Sequence, residues 1–266
     1  MGLGLYRIKQ VINKAAKKYH FLPIYYLFLD LIHKIEHKWW LVPNNFGYLD
    51  RYSIIEEPLS IAAPKLVYLE KGSKLRKFSK IINSPGYKFV MKKYSVCAFG
   101  LTVVTGNHRA VVGLPQFLSG AKHIRDSEMD IILEEGVWCG ANVTLLYGAH
   151  IGRGAIIGAG CIVNKEIPPY AVAVGIPAKI VASVFSIDQI LRHEALIYPP
   201  EERFSREYLE DIFAKYYQGK KTVGLDIDLT PDEMQRLSEW DERYDLHIIT
   251  PDYPERIKKG RNGTIN

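Results

Sequence analysis

The sequence lacks an apolar run long enough to cross a membrane as a helix. Its longest apolar stretch, residues 21–32, contains Asp30 and covers about a dozen positions, whereas a spanning helix needs roughly 20. The stretch lies too far from the start to be a signal peptide, and no small-residue cleavage site follows it. We therefore predict a cytoplasmic protein.

Signatures of nucleic-acid and zinc binding are also missing. The basic residues come without an aromatic-stacking module or a recognition helix, so no nucleic-acid partner is predicted. His108, His123 and His150 lack the spacing and the partner set of a zinc site, which excludes a carbonic-anhydrase type of metalloenzyme. We predict no metal.

Acidic residues are scarce in the first part of the chain. Residues 1–108 hold 17 lysines and arginines against 6 acidic residues, whereas residues 109–266 hold 18 against 23. Within residues 5–19 the apolar side chains follow helical spacing and basic side chains occupy the rest of the wheel, which indicates an amphipathic basic helix. Two interpretations stay open: its apolar stripe packs on the protein, or the helix makes peripheral contact with the inner face of the membrane.

A six-residue period is the main feature that the sequence does contain. It occupies residues 133–168, with units that begin at Leu133, Cys139, Leu145, Ile151, Ile157 and Val163. Apolar first positions, small or aliphatic fifth positions and glycines between them predict short stacked strands joined by tight turns. Cys97, Cys139 and Cys161 fall on inward-facing positions and are predicted to be reduced core residues.

The period is irregular before this stretch and interrupted within it. Leu69 and Leu75 fit one phase, Met91 and Cys97 another, so a register change is expected near residues 83–86, where the sequence NSPG has turn chemistry. We expect irregular coils over residues 58–108. The pattern then disappears over residues 109–129, and loops of this length inside compact repeats are usually functional.

These repeats resemble the hexapeptide-repeat acyltransferases, in particular the maltose, galactoside and capsule, colanic-acid or O-antigen polysaccharide O-acetyltransferases. The resemblance implies a mainly β fold, a left-handed parallel β-helix with three repeats per triangular coil and α-helical additions at both ends. Its parts would be a helical region over residues 1–50, the β-helix over 51–184 with the loop 109–129 inserted, and a helical extension and tail over 185–266. It also implies a homotrimer with active sites between subunits.

The catalytic residue comes from the same resemblance. Residues 97–108, CAFGLTVVTGNH, match a family coil that closes in T-x-N-H, which implies that His108 is the general base. A neutral imidazole suits the role because histidine titrates near neutrality. Asn107 is expected to shape the turn that presents the histidine, through left-handed geometry, or to contact the acceptor. Glu134 is the candidate for orienting His108.

The resemblance also implies residues that contact the acceptor and residues that bind the coenzyme. Phe117, Lys122 and His123 of the inserted loop are candidates for acceptor contact, and Trp138 matches a family tryptophan beside the active site. Acetyl-CoA is the implied co-substrate. Its groove would be lined by Ala141, Ala159, Asn164, Lys165 and Lys179, with the lysines on phosphates; Asn164 replaces a usual threonine, and Ala182 an arginine found in several relatives.

Capping signals predict helices after the repeats. Ser186 with Gln189 forms a capping-box pattern, Ser205 can cap the next helix, and residues 230–233, TPDE, combine a cap, an N1 proline and an acidic first turn. Residues 254–266 are expected to be a frayed tail.

The acceptor is predicted from residues 185–204 together with TGNH. They look like the polysaccharide type of enzyme, which implies acetylation of a sugar hydroxyl on a cell-surface polysaccharide or on its lipid-linked or nucleotide-linked precursor. Serine, a nucleotide-sugar amine and an antibiotic stay open as other acceptors of the same fold. A non-catalytic β-helix scaffold is the alternative from a different class.

Overall fold

The computed structural model describes residue 31 and residues 42–261. The chain divides into two compact units, Met1–Phe46 and Gly47–Asn266. In the first unit the described part includes a short 3-10 helix, Pro43–Asn45. The predicted basic helix over residues 5–19 and the aromatic segment that follows it lie outside the described residues. All further description concerns the second unit.

The second unit consists mainly of short strands, and successive strands along the chain belong to three sheets in rotation. Sheet 1 contains β1 (Tyr48–Leu49), β4 (Val67–Leu69), β7 (Phe89–Met91), β12 (Ile131–Leu133) and β15 (His150–Ile151). Sheet 2 contains β2 (Ile54–Ile55), β5 (Lys74–Leu75), β8 (Val96–Cys97), β13 (Trp138–Cys139), β16 (Ile156–Ile157), β18 (Ala171–Val174) and β19 (Lys179–Ser183). Sheet 3 contains β3 (Ser60–Ile61), β6 (Lys80–Ile82), β9 (Thr102–Val104), β14 (Thr144–Leu146) and β17 (Ile162–Val163). Strands pair in parallel between successive coils, apart from the antiparallel β18–β19 pair that ends sheet 2. The predicted left-handed parallel β-helix is confirmed.

Strand register shows how the coils differ in length. Leu133 pairs with Ile151, so a regular coil consists of three repeat units. The coil from Lys80 to its partner Thr102 is longer, and the extra residues fall between β6 and β7, where the sequence predicted a register change. The next coil is longer still, because Thr102 pairs with Thr144. The excursion after β9 therefore makes this coil more than twice as long as a regular one.

Side chains of the repeats alternate as the period predicted. All six first positions are buried: Leu133, Cys139, Leu145, Ile151, Ile157 and Val163. All six fifth positions are buried too: Val137, Val143, Ala149, Ala155, Cys161 and Ile167. Each large aliphatic side chain buried in this way contributes about 1.5–3 kcal/mol. At one corner Asn142 takes the left-handed conformation (φ +57°) that glycine takes in neighbouring units, since asparagine tolerates it better than most residues. Cys97, Cys139 and Cys161 are buried free thiols, as predicted.

Five α-helices lie in the described part of the second unit. Their bounds are α1 Gln116–Ala121, in the excursion, then α2 Ile187–Ile197, α3 Arg206–Ile212, α4 Pro231–Arg243 and α5 Tyr253–Arg261. Ser186 and Thr230 form capping boxes and Ser205 accepts from Tyr208, so the three predicted caps are confirmed. Tyr170 and Val184 of the β-helix pack with Ile190 and Leu209 of α2 and α3. Within residues 42–261 and at residue 31, no helix has the length and apolarity needed to cross a bilayer.

The prediction of a frayed tail was wrong for residues up to 261. Arg261 of α5 pairs with Asp226 at 2.8 Å and with Asp228 at 2.6 Å. Arg256 donates to the Leu196 carbonyl at the end of α2 (2.9 Å). The partners of these basic side chains are distant in sequence, so the sequence of the tail alone could not predict these contacts. Residues 262–266 lie outside the described part.

Candidate active site

His108 lies on a two-stranded ribbon at the start of the excursion. Strand β10 (Gly106–Asn107) pairs antiparallel with β11 (Ser127–Glu128), with Gly106 opposite Glu128 and Asn107 opposite Ser127. Continuing this register places His108 opposite Asp126. Because side chains alternate along a strand, His108, Asp126 and Glu128 share one face of the ribbon.

Asp126 joins two histidines through one oxygen. Its Oδ2 lies 2.7 Å from Nδ1 of His108 and 2.9 Å from Nδ1 of His123. The Asp126 side chain is 4% exposed, whereas the His108 and His123 side chains are 52% and 51% exposed. Burial acts to raise the pKa of Asp126, but the hydrogen bonds from the two histidines outweigh it and hold that pKa below its ordinary value. The carboxyl is therefore ionised at neutral pH.

An ionised carboxylate determines the tautomer of both rings. It has no proton to donate, so Nδ1–H of each histidine must donate to Asp126. In the neutral ring Nε2 then carries the lone pair. His108 thus presents a proton acceptor on its half-exposed side and is fixed by a buried anion on the other.

Glu134 does not orient His108, and that expectation was wrong. Its carboxylate accepts from Lys92 Nζ at 2.6 Å and lies 2.8 Å from Nε2 of His150. Burial acts to raise the pKa of Glu134, but the bonds from Lys92 and His150 lower it overall. Glu134 directly follows β12 in sheet 1, beside the preceding coil, so its partners come from neighbouring coils and not from the excursion.

Unpartnered polar atoms occur on the ribbon and in the segment beside it. Among the described residues, the buried side-chain atoms without a hydrogen-bond partner are Asn83 Nδ2 and Oδ1, Asp126 Oδ1 and Glu128 Oε1. Asn83 precedes Ser84, whose N–H donates to Thr105 Oγ1 at 2.7 Å. Buried polar groups are nearly always paired, so this concentration calls for a partner such as a ligand or water. Sequence reasoning missed Asn83, Asp126 and Glu128.

The residues predicted on the acceptor side are dispersed. His123 reaches His108 through Asp126, and Gly120 of α1 lies against the His108 ring, since an added Cβ would be 3.5 Å from two ring atoms. Phe117, at the start of α1, is 85% exposed, and Lys122 follows the helix. Trp138 lies on sheet 2, 45% exposed, in register with Val96 and Ile156.

Asn107 differs from its expected geometry. It belongs to β10 and pairs with Ser127, and it is absent from the residues of positive φ. Antiparallel pairing, and not a left-handed turn, therefore presents His108. By alternation the Asn107 side chain lies on the opposite face of the ribbon from His108.

The predicted coenzyme residues are divided between two corners of the coil, and one of these corners also carries His108. Ala141 and Ala159 stack at the turn from sheet 2 to sheet 3, where Gly160 N–H donates to the Ala141 carbonyl at 2.8 Å. Asn164 and Lys165 follow β17, and Lys179 begins β19; all three are exposed. His108 follows the same end of sheet 3 as Asn164 and Lys165, because β9, β14 and β17 are paired in register, but it lies two coils away from them. The three-residue strand between Ala141 and that end spans about 10 Å.

Comparisons with known proteins point to acetyltransferases. No protein-family model matches the chain. Over 103 residues it is 34% identical to a presumed acetyltransferase of Schizosaccharomyces pombe, covering 35% of this chain and 49% of that protein. Over 66 residues it is 44% identical to a presumed acetyltransferase of Staphylococcus aureus, covering 25% and 32%. The chain thus spans about half or less of the length of these relatives.

Solved structures with a similar fold carry related names. A hexapeptide-repeat-containing acetyltransferase from Vibrio cholerae, complexed with acetyl coenzyme A, covers 54% of this chain and 74% of its own at 20% identity and a TM-score of 0.48. A maltose O-acetyltransferase from Clostridium difficile covers 54% and 72% at the same identity and TM-score. The predicted resemblance to hexapeptide-repeat acyltransferases is confirmed by the named relatives.

Proposed function

We propose that the protein is an acetyl-CoA-dependent O-acetyltransferase that acts in the cytoplasm on a sugar hydroxyl of a cell-surface polysaccharide or of its lipid-linked or nucleotide-linked precursor. One observation carries this proposal. At the end of the T-x-N-H coil, His108 is held by a buried aspartate through Nδ1, which leaves Nε2 to accept a proton. The relatives named acetyltransferases support the reaction class.

The reaction is direct transfer with His108 as the general base. Nε2 takes the proton of the sugar hydroxyl while that oxygen forms a bond to the thioester carbonyl carbon. The carbon–sulfur bond then breaks, and the imidazolium returns the proton to the departing thiolate. The products are an acetyl ester and free coenzyme A. Asp126 stabilises the imidazolium and keeps the ring in the tautomer that can accept.

The polar atoms around the ribbon support a polyhydroxylated acceptor. Asp126 Oδ1 and Glu128 Oε1 can accept bonds from hydroxyl groups, and the Asn83 amide can both donate and accept. A sugar supplies several hydroxyls in one rigid ring, whereas serine supplies one. Phe117 and His123 would border the acceptor from the excursion.

We propose a homotrimer for the coenzyme side of the site. Ala141 and Ala159 lie across sheet 3 from the corner that carries His108, Asn164 and Lys165 lie two coils away from it, and Lys179 begins β19 of sheet 2. We infer that a second copy brings its coenzyme edge to the first copy's His108, with Trp138 lining the shared site. Sedimentation of the active species tests the trimer, and an active monomer would contradict it.

Complementation between subunits tests the shared site more sharply. Chains carrying His108→Ala and chains carrying Lys165→Glu with Lys179→Glu are each expected to be nearly inactive. Refolding them together should restore activity, because mixed trimers contain some sites with both wild-type halves. Absence of any restoration in demonstrably mixed trimers would contradict a site built from two chains.

The product of the reaction tests the bond formed. The full chain is incubated with isotope-labelled acetyl-CoA and a panel of nucleotide sugars, short glycans, serine and an aminoglycoside. An acetyl ester on sugar is released by mild alkali, whereas an acetyl amide is not. Alkali-stable label would contradict O-acetylation, and coenzyme A binding without transfer to any acceptor would favour the scaffold alternative.

A further inference from the structure

Three metal-binding side chains converge on the excursion. One ligand atom from each of His108, His123 and Asp126 lies within 4.8 Å of the other two. The two imidazole rings have centroids 5.4 Å apart and are tilted by 53°. Each presents Nδ1 to the same carboxylate oxygen, so the three ligands surround one point.

We propose that His108, His123 and Asp126 bind a divalent transition-metal ion of the Zn²⁺ type and that the bound ion inhibits the enzyme. Two imidazole nitrogens and one carboxylate oxygen form a common zinc ligand set, with an open position left for water. Imidazole ligands favour zinc, copper and nickel over magnesium and calcium. The ion is an inhibitor here and not a cofactor of the transfer reaction.

The geometry needs only a small adjustment to accept the ion. In a tetrahedral site with ligand bonds of about 2.0–2.2 Å, neighbouring ligand atoms lie about 3.3–3.6 Å apart. The present nitrogen–oxygen distances are 2.7 and 2.9 Å. Both rings are half-exposed and can swing outwards, whereas Asp126 is buried and stays in place.

A second observation at Asp126 also points to a ligand. Its other oxygen, Oδ1, is buried and has no partner among the described residues. A carboxylate with two N–H donors on one oxygen and no partner on the other is poorly compensated for its burial. A divalent cation would compensate it better than two hydrogen bonds do.

Inhibition follows from the proton positions and rests on the proposed function. A metal on Nδ1 of His108 displaces the proton that Asp126 holds there, so the neutral ring carries its proton on Nε2 instead. Nε2 then has no lone pair for the sugar hydroxyl, and His108 cannot act as the base. Binding itself does not depend on what reaction the protein catalyses.

Metal titration tests the site directly. The metal-free full chain is titrated with Zn²⁺ by calorimetry and with Co²⁺ by visible absorption, which reports the coordination geometry. We expect one ion per chain. Asp126→Asn and His123→Ala should each weaken binding about tenfold or more, the loss seen even when groups that only support metal ligands are removed.

His150→Ala is the matched control. His150 is also paired with a carboxylate, Glu134, but that pair has a lysine, Lys92, where the proposed site has a second histidine. Its replacement should leave the affinity for Zn²⁺ unchanged. No binding by the wild type, or an equal loss of affinity in His150→Ala and His123→Ala, would overturn the site.

The inhibition is measured separately, on each variant relative to its own metal-free rate. Zn²⁺ should inhibit the wild type reversibly, with a chelator restoring activity, and His123→Ala should need at least tenfold more Zn²⁺. Stoichiometric binding without inhibition of an active enzyme would overturn the inhibitory role. Metal binding by a chain that transfers no acetyl group would contradict the proposed function and leave the site standing.

Discussion

Replacing Asp126 by asparagine is the sharpest test of how His108 works. The side chain keeps its size, so packing around a group that is 4% exposed should be preserved. What changes is the acceptor of two hydrogen bonds, from Nδ1 of His108 at 2.7 Å and from Nδ1 of His123 at 2.9 Å. The amide can offer N–H to Nδ1, which favours the tautomer with the proton on Nε2. That tautomer cannot accept the proton of the acceptor hydroxyl.

The expected loss in kcat is about 10²- to 10⁴-fold. The lower figure corresponds to the loss of general-base catalysis, and the upper to a histidine held in the wrong tautomer by an asparagine in a comparable dyad. KM for acetyl-CoA should change little, because Asp126 belongs to the excursion and none of the predicted coenzyme residues does. The assay is release of free coenzyme A at saturating acceptor, with circular dichroism confirming the fold.

Glu134→Gln is the control for that experiment. It removes a carboxylate from another histidine, His150, at a nearly equal distance of 2.8 Å, outside the proposed site. Its kcat should stay close to the wild-type value, because Glu134 is held by Lys92 and His150 and by no residue of the excursion. If Asp126→Asn kept more than half of the wild-type kcat, Asp126 would not orient the base.

Four further outcomes are expected. His108→Ala should lower kcat about 10²- to 10⁴-fold while coenzyme A binding, measured by calorimetry, is retained; wild-type turnover would contradict the mechanism. Glu194→Ala removes a buried carboxylate that pairs with Arg153 and accepts from Tyr170 (3.0 Å), so urea unfolding should show a loss of about 3–5 kcal/mol. Burial lowers the pKa of His193 to about 4, so between pH 6.5 and pH 4 the unfolded chain binds more protons than the folded chain. The free energy of unfolding should therefore fall by at most about 3 kcal/mol as the pH is lowered through this range. His193→Asn should lack this pH dependence. On anionic vesicles the full chain should float and a chain that starts at Asn44 should not, because the predicted basic helix over residues 5–19 would be attracted to anionic lipid; equal behaviour would assign that predicted helix to packing.

The β-helix was predictable because its information is local and repeated. A buried residue recurs every six positions, so each unit independently reports the same coil, and the twelve inward positions of residues 133–167 are buried as expected. The register change near Asn83 was also predictable, since two apolar phases met at a turn sequence. Helix caps were predictable for the same reason, because cap and N3 residue are only three positions apart.

The partner of His108 was not predictable from the same patterns. Asp126 lies far along the chain in a segment without a period, and only the antiparallel pairing of β10 with β11 brings it opposite His108. Glu134 was the better candidate from the sequence because it belongs to a regular repeat. A residue of a regular repeat, however, contacts the residues in register with it on the neighbouring coils. The tail failed similarly, since Arg261 depends on Asp226 and Asp228.

The contrast explains why the proposed site lies on the excursion. In parallel coils, side chains on the outer face form ladders about 4.8 Å apart, so a residue such as Glu134 meets only the residues in register with it on neighbouring coils, Lys92 and His150. The much longer coil after β9 has room to return as an antiparallel strand, which sets one buried carboxylate between two histidines. The proposed site therefore depends on the break in the repeat, and shortening residues 109–125 should abolish transfer while the coils remain folded.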